Sequence, residues 1–464
     1  MDEKVADKPL LELGPQLLQH FSFEPGYHNL NHGSFGASPR EIQSRLHHYQ
    51  DLAEARPDPF IRYDLPKLLD ECRAAVAQLL SAPVDAVVFV TNATVGVNTV
   101  LRNLRWNDDN KDEILYFNSI YGACGKTIDY IVESNNGRVS SREISLAYPC
   151  EDEDIVGAFK SAVQRSKLAG KRAKICVYDT VSSLPGVRFP FEDVTKACKE
   201  LGVLSLIDGA QGIGQIKIDL GTLDPDFFVT NCHKWLHVPR SCAVFYVPLK
   251  NQGLIPSTLP TSHGYVPKSS TRFNPLPPSE ERKSAFVANF EYVGTMDTSA
   301  YLCVKDAIRW RKEKLGGEDR IMEYMQRLSE EGGRKAAEVL GTKIMDNHKG
   351  TLTKCAMVNV GLPMWVRPAV ETQEPFTHPP NDIVLSSDEA LDVGQWMLRL
   401  LIHDYKTFVA LFIHENRVWA RLSAQVYLDI HDFEWAGRTL LEVCKKVARK
   451  DQEYSEEYSG YQSL

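Results

Sequence analysis

The chain has 464 residues and a mass of 52.3 kDa, enough for two or three domains with a large core. Its 53 Lys and Arg residues against 61 Asp and Glu give a formal charge of −8, which argues against a broad basic surface for nucleic acid. No apolar run is long enough to span a membrane, and the N-terminus MDEKVADKPLLELG lacks a signal-peptide core. Ten cysteines without a CxxC pair indicate neither a disulfide scaffold nor a structural zinc site. We therefore expect a cytoplasmic, multi-domain enzyme without a metal.

The middle of the chain alternates short apolar runs with longer amphipathic stretches. The runs predict buried strands, and stretches such as TVGVNTVLRNL (94–104) and FEDVTKACKELG (191–202) predict helices between them. This alternation predicts an α/β fold, in which helices cover both faces of a mostly parallel sheet. The predicted strands are AVVFVTN (86–92), EILYFN (113–118), KICVYDT (174–180), VLSLIDG (203–209), PDFFVTN (225–231) and CAVFYV (242–247).

Composition changes after this α/β region. Residues 248–285 are rich in proline and serine and predict a long loop. Beyond residue 300 a helical pattern is followed by the strand-like pieces CAMVNVGL, FVALFIHEN and VWARLSAQVY, with a proline-rich insertion at 363–383. We therefore predict three parts, which are an N-terminal segment that joins the small domain (1–50), a large α/β domain (51–300) and a small α+β domain (301–464).

Asp208 and Lys234 follow two successive predicted strands. Asp208 ends one apolar run, and Lys234 lies 26 residues later (234 − 208), just after the next. Because ligands approach open α/β sheets at the strand ends, the two side chains are expected to lie close together. The pair suits pyridoxal phosphate (PLP), which needs a lysine to form a Schiff base and an acid to keep its pyridine nitrogen protonated.

The motif DGAQ…HKW, with this spacing, resembles the aminotransferase class V family of fold-type I PLP enzymes. The resemblance extends from NLNHGSFGASPR (29–40) to VWARLSAQVYLD (418–429). It implies a large domain with a mostly parallel seven-stranded sheet, a smaller α+β domain and PLP as cofactor. It also implies that Lys234 is the catalytic Schiff-base lysine and that Asp208 holds the pyridine nitrogen.

The resemblance also implies a phosphate site. VTNATVGVNTVLR (90–102) is a strand, a turn of small residues and a helix, and free N–H groups at a helix start bind anions. The family pattern places the cofactor phosphate on Ala93 and Thr94, with Thr230 and His233 nearby. A helix cap for Thr94 and a core position for His233 are the alternatives. Gly294 and Thr295 match a segment that reaches the phosphate of a partner chain, which implies a homodimer with shared active sites.

Further family positions fall around the same site. Gln211 is expected near the 3′ oxygen of the cofactor. Tyr121 is expected to stack on the ring, where its hydroxyl can also protonate a leaving group, and simple packing is the alternative. Arg421 matches the residue that pairs with a substrate α-carboxylate, a role that suits its planar guanidinium, whereas a structural ion pair is the alternative. The other expected substrate contacts are Asn31, His32, Ser34 and Ser183.

The reaction is suggested by the whole-chain pattern. It is most similar to the isopenicillin N epimerase-like subgroup and, within it, to the carbon–sulfur lyases of ergothioneine biosynthesis. This similarity implies β-elimination of hercynylcysteine sulfoxide with release of pyruvate and ammonia. A cysteine desulfurase needs a nucleophilic cysteine on a loop, whereas Cys303, Cys355 and Cys444 lie in sequences typical of helices or buried strands. An epimerase, an aminotransferase and a non-catalytic relative are the other candidates.

Overall fold

The computed structural model describes residues 9–269, 272, 273, 276, 283–369 and 376–449. Within these residues the chain forms a seven-stranded and a four-stranded sheet. The larger sheet has the order β1-β7-β6-β5-β4-β2-β3, and β7 alone runs antiparallel to its neighbours. Its strands are β1 Val87–Val90, β2 Asp112–Phe117, β3 Val139–Ile144, β4 Arg172–Asp179, β5 Leu204–Asp208, β6 Phe227–Asn231 and β7 Ala243–Tyr246.

Six of these strands lie at the positions predicted from the apolar runs, whereas β3 was not predicted. The sequence of β3, VSSREI, is mostly polar because the strand lies at the edge of the sheet, where only its two ends are fully buried. An edge strand needs no continuous apolar run, so apolar runs in the sequence do not indicate β3.

Helices cover both faces of the large sheet. Along β6, Phe227 and Val229 pack into one apolar cluster and Phe228 into the other, as expected for a strand buried on both sides. The helices that precede or connect these strands are α1 His32–Phe35, α2 Arg40–Ala55, α3 Pro57–Pro59, α4 Leu65–Leu79, α5 Ala93–Asn103, α6 Gly122–Ser134, α7 Asp152–Leu168, α8 Phe191–Leu201, α9 Leu220–Leu223 and α10 Cys232–Trp235. A π-helical turn, Phe60–Asp64, joins α3 to α4.

The segment predicted as a long loop begins with a short 3-10 helix, Leu249–Leu254, and ends where α11 Ala285–Glu291 begins. Parts of it, at 270–271, 274–275 and 277–282, lie outside the described residues. No other helix or strand occurs in the described parts of 255–284.

The smaller sheet has the order β10-β11-β8-β9. Its strands are β8 Met357–Val366, β9 Ile383–Leu385, β10 Ala410–His414 and β11 Arg417–Ser423, and the C-terminal helices are α12 Ser299–Leu315, α13 Glu318–Leu340, α14 Ser387–His403 and α15 Ile430–Arg449. Pro363, expected in an insertion, instead belongs to β8, where the register against β11 shifts between Arg417 and Trp419. A proline fits inside a strand at such an irregularity. Residues 370–375 of the expected insertion lie outside the described residues.

The N-terminal segment contacts the C-terminal part of the chain. The N–H of Gly14 donates to Val426 O (2.8 Å), the N–H of Ser423 donates to Leu30 O (2.8 Å), and His28 bridges to Thr407. These contacts support the proposed grouping of 1–50 with 301–464, and the three domain boundaries stay a prediction.

Candidate active site

Asp208 lies at the end of β5 with its carboxylate buried. Oδ1 accepts the N–H of Ala210 (3.0 Å), and Oδ2 accepts the thiol of Cys124 on α6 (3.3 Å). Burial raises the pKa of Asp208, while these two hydrogen bonds and the nearby Lys234 act in the opposite direction. A buried carboxylate of this kind can hold a cationic ring nitrogen.

Lys234 lies in α10, directly after β6. Burial lowers its pKa from 10.5 to about 8, and the charge of Arg421 contributes in the same direction. Within the described part of the chain, no hydrogen bond or ion pair engages its Nζ. An unengaged amine whose pKa is lowered this far has a substantial neutral fraction near pH 8, and a neutral amine is what attacks an aldehyde.

The helix α5 begins beside this pair. Asn92 caps it by accepting the N–H of Val95 (2.9 Å), and Asn231 at the end of β6 accepts the N–H of Ala93 (2.9 Å). These two bonds leave the N–H of the half-buried Thr94 for an anion, whereas the N–H of Ala93, also predicted to contact the phosphate, is already engaged by Asn231. Asn231 is a site residue that the sequence analysis missed, although it lies only three positions before Lys234.

The structure places Thr230 differently from the expectation. Its buried hydroxyl donates to Gly209 O (2.5 Å) and accepts the N–H of Ile213 (3.1 Å). In this arrangement its only hydrogen is donated within the turn after β5, and Thr230 positions that turn. Its role as a phosphate contact stays a prediction.

His233 is half-buried next to Lys234. Its Nδ1 lies 2.9 Å from Cys242 O, which can only accept, so Nδ1 carries the hydrogen. Burial lowers the pKa of His233 to about 4, and the positive charges of Lys234 and Arg240 add to this. Its Nε2 is therefore the atom that remains for an anionic ligand, whose charge would favour a second proton.

Gln211 is buried and bonded at both ends of its amide. Nε2 donates to Gly33 O (2.7 Å), and Oε1 accepts the indole N–H of Trp235 (2.7 Å). One N–H of the amide is left for a cofactor oxygen. Gln211 therefore also ties the N-terminal segment to α10.

Arg421, on β11, brings together most of the predicted substrate contacts. Nη2 donates to Asn31 Oδ1 (2.6 Å) and Ser34 Oγ (2.9 Å), and Nη1 donates to Ser183 O (2.8 Å) and Oγ (3.3 Å). The side chain is 1% exposed, and its Nε has no partner. No carboxylate pairs with it among the described residues, so the guanidinium is a buried cation with only neutral acceptors. The hydroxyl of Ser182, the residue before Ser183, donates to Pro185 O (2.7 Å) within the same loop.

His32 lies beneath the site rather than facing it. Its Nε2 donates to the backbone carbonyl of Lys234 (2.7 Å), and its Nδ1 accepts from the hydroxyl of Tyr427 (3.0 Å). Both ring nitrogens are engaged by the protein and the side chain is buried, so no nitrogen of His32 is left for a substrate in this arrangement. Its role as a substrate contact stays a prediction.

The remaining predicted residues lie at the surface of this single chain. Tyr121, at the start of α6, is 49% exposed. Gly294 has φ +84°, and the exposed Thr295 bonds the hydroxyl of Tyr292 (2.6 Å). Thr295 and Arg62 line a surface cavity of about 180 Å³ that none of the residues around Lys234 lines.

Asp179 is a second carboxyl that the sequence analysis missed. It ends β4 and pairs in register with Asp208 on β5, so the two side chains lie on the same face of the sheet. Burial and the neighbouring charge of Asp208 raise the pKa of Asp179 well above its ordinary value. The apolar run KICVYDT could have identified it, because Asp179 occupies the same strand-end position as Asp208.

Solved structures establish the class of this fold. The structure of the cystine C–S lyase C-DES with its product cysteine persulfide has a TM-score of 0.69, with 16% identity, and covers 90% of this chain and 98% of that one. A C-DES mutant with glycine covalently linked to the PLP cofactor gives 0.70, with 15% identity, over 92% and 99%. The fold is that of the fold-type I PLP enzymes, as predicted.

Sequence comparison gives the family. The model for aminotransferase class-V matches residues 61–362. The chain is 34% identical to the L-cysteine desulfhydrase-like protein lolT1 of Epichloe uncinata over 451 residues, which are 95% of this chain and 98% of that protein. It is 32% identical to the hercynylcysteine sulfoxide lyase of Schizosaccharomyces pombe over 435 residues, 93% and 98% of the two chains. The chain belongs to the aminotransferase class V family, and its cofactor is PLP.

Proposed function

We propose that this enzyme is a carbon–sulfur lyase that carries out β-elimination on an S-substituted cysteine sulfoxide, with hercynylcysteine sulfoxide as its substrate. The observation that carries the proposal is the buried, uncompensated guanidinium of Arg421 near the unengaged amine of Lys234. That arrangement suits an amino acid whose carboxylate binds Arg421. The similarity to the Schizosaccharomyces pombe lyase over nearly the whole chain supports the choice of substrate.

The residues present fit PLP. Lys234 offers an amine with a lowered pKa for its aldehyde, Asp208 a buried carboxylate for its ring nitrogen, and the start of α5 with His233 a site for its phosphate. When bound, PLP supplies an electron sink that stabilises negative charge at the substrate Cα. In the proposed site, Asp208 holds the proton at the ring nitrogen, and Asp179 adds a second carboxyl beside it.

The protein residues then direct which bond breaks. Arg421 binds the α-carboxylate and orients the Cα–H bond, and Nζ of Lys234 is the base that takes the Cα proton. Loss of that proton leads to cleavage of the Cβ–S bond, and the sulfur leaves with the bonding electron pair as a sulfenate. The hydroxyl of Tyr121, or a water molecule, protonates it. Water then converts the three-carbon fragment to pyruvate and ammonia, and an external two-electron reductant takes the sulfenic acid to the thiol.

The cysteines argue against a desulfurase. Cys303 lies in α12, Cys444 in α15 and Cys355 just before β8, and all three are buried. Burial raises the pKa of Cys355 to about 11 and that of Cys444 to about 12, so neither is a thiolate at neutral pH. The related desulfhydrase-like protein makes L-cysteine the main alternative substrate for a lyase.

Pyruvate release tests this function directly. We expect rapid pyruvate from hercynylcysteine sulfoxide and little pyruvate or sulfide from L-cysteine at the same concentration. The Tyr121→Phe variant should retain the cofactor and eliminate more slowly if the hydroxyl is the acid. If release of sulfide from L-cysteine were the faster reaction, the enzyme would be a cysteine desulfhydrase. If neither substrate gave pyruvate, an epimerase or aminotransferase activity would be favoured instead.

We also propose a cytoplasmic homodimer. All ten cysteines are free thiols, which suits a reducing compartment, and no described helix is long and apolar enough to cross a membrane. The surface cavity that Thr295 lines, apart from the residues around Lys234, supports the prediction that Thr295 serves a partner's site. Sedimentation equilibrium of the holoenzyme should give twice the 52.3-kDa chain mass, and a monomer with full activity would rule out shared active sites.

A further inference from the structure

The short helix α1, together with its N-cap residue Asn31, contacts both functional groups of the proposed site. Asn31 and Ser34 accept hydrogen bonds from Arg421, and His32, between them, donates to the carbonyl of Lys234. The four consecutive residues 31–34 therefore connect Arg421, the proposed carboxylate site, with the backbone of Lys234, the proposed base.

The hydrogen bonds of Arg421 determine what a carboxylate must do to bind it. A carboxylate binds a guanidinium in bidentate fashion through two neighbouring N–H groups, on the Nε/Nη2 edge or on the Nη1/Nη2 edge. Both edges include Nη2, and both hydrogens of Nη2 are taken by Asn31 Oδ1 (2.6 Å) and Ser34 Oγ (2.9 Å). A bidentate carboxylate must therefore displace at least one α1 acceptor.

His32 is held in a buried, directional hydrogen-bond chain. Asn29 Nδ2 donates to Tyr427 Oη (2.7 Å), Tyr427 donates to His32 Nδ1 (3.0 Å), and His32 Nε2 donates to Lys234 O (2.7 Å). Burial lowers the pKa of His32 to about 4, so the ring is neutral and has a single N–H to give. His32 cannot shift without weakening a bond to Tyr427 or to Lys234.

The backbones of α1 and α10 are also in direct contact. Gly36, which follows α1, has φ +67°, and a Cβ built there would lie 1.8 Å from the carbonyl oxygen of His233. Only glycine permits both that conformation and that approach. A shift of α1 therefore acts directly on the backbone of α10, because no side chain lies between the two segments at Gly36.

We propose that α1 couples carboxylate binding at Arg421 to the position of Lys234, with His32 as the positioning residue that connects them. The carboxylate displaces Asn31 or Ser34, α1 shifts, and His32 changes the placement of the Lys234 backbone. This inference rests on the proposed carboxylate role of Arg421. Its consequence is that Lys234 reaches its working position only when an α-carboxylate is bound.

Hydrogen–deuterium exchange of the holoenzyme tests the coupling. The probe is propionate, which has a carboxylate but no amine, and propylamine is the matched control. In the wild-type enzyme propionate, but not propylamine, should change exchange by about twofold or more in peptides spanning 29–36 and 230–236. In His32→Ala the 29–36 response should remain and the 230–236 response should vanish, whereas His32→Gln, whose amide can still donate, should restore it.

The outcomes separate the inference from the function on which it rests. A 230–236 response that persists in His32→Ala overturns the coupling while leaving the carboxylate site intact. Absence of any propionate response, together with absence of competition against substrate, overturns both. Steady-state kinetics add a second readout, because a positioning role predicts that His32→Ala lowers kcat by roughly tenfold with little change in KM.

Discussion

Replacement of Lys234 by alanine should abolish turnover and the covalent attachment of PLP. Lys234 is the described lysine whose amine is buried beside Asp208, and burial lowers its pKa to about 8. Loss of one group that serves as both nucleophile and base should reduce kcat by at least about a thousandfold. Pyruvate assays and the visible absorption of the purified protein would measure both effects. Turnover above one per cent of wild type would refute the assignment.

The Lys234→Met variant of the cofactor-free protein provides a control that does not depend on activity. The folded pKa of about 8 lies below the ordinary 10.5, so below pH 8 the ammonium is present in both states and its burial destabilises the folded protein fully. As the pH rises from about 8 towards 10.5, the folded state loses its proton first and the destabilisation is relieved. Lys234→Met should therefore be more stable than wild type to urea at pH 7, and the difference should shrink by pH 10. A difference that does not depend on pH would mean that the amine is not desolvated.

Replacement of Arg421 by alanine should have the second-largest effect. Removing a buried cation from a proposed carboxylate contact should cost about 3 kcal/mol of substrate binding, which is roughly a hundredfold in kcat/KM. Bound cofactor should be retained, because no proposed PLP contact involves Arg421. The thermal stability of the variant should also fall, because Asn31, Ser34 and Ser183 lose the donor that engages them in a buried site. Steady-state kinetics and thermal unfolding of the holoenzyme measure the two effects.

The matched variant is Arg421→Lys, which keeps the charge and loses the planar fork. It should recover part of the affinity for the amino-acid substrate. Neither variant should change the already weak binding of a substrate analogue that has a carboxamide in place of the carboxylate. If Arg421→Ala weakened binding of the substrate and of the carboxamide analogue equally, the carboxylate site would not be at Arg421.

The sequence predicted the parts of the site that depend on spacing along one strand and its following turn. Asp208 and Lys234 are of this kind, because an apolar run ending in a polar residue places that residue at a strand end regardless of the remaining packing. The pair suited PLP, and the class followed from the resemblance of the motif DGAQ…HKW to the family. The phosphate site could be predicted only in part. The start of α5 directly follows β1 in the sequence, whereas Asn231 comes from β6, which lies beyond β7 in the sheet.

Residues whose roles depend on long-range packing could not be assigned in the same way. His32 and Lys234 are separated by 202 positions, and only the folded chain shows that the imidazole reaches a backbone carbonyl rather than a substrate. The commitment of the Thr230 hydroxyl to Gly209 is equally invisible in sequence. The edge strand β3 was not predicted for a different reason, because a partly exposed strand at the edge of the sheet has a polar sequence.

The buried thiols have a consequence for the lifetime of the enzyme. A sulfenic acid, the proposed product, condenses with accessible thiolates to form mixed disulfides. Nine of the ten cysteines are buried, and burial raises the pKa of the half-buried Cys150 to about 11. Even Cys124, which lies against Asp208, stays a thiol because burial and that carboxylate raise its pKa. The chain therefore has almost no thiolate that could react with the electrophilic sulfenic acid. We expect the enzyme to resist inactivation by its own proposed product during turnover.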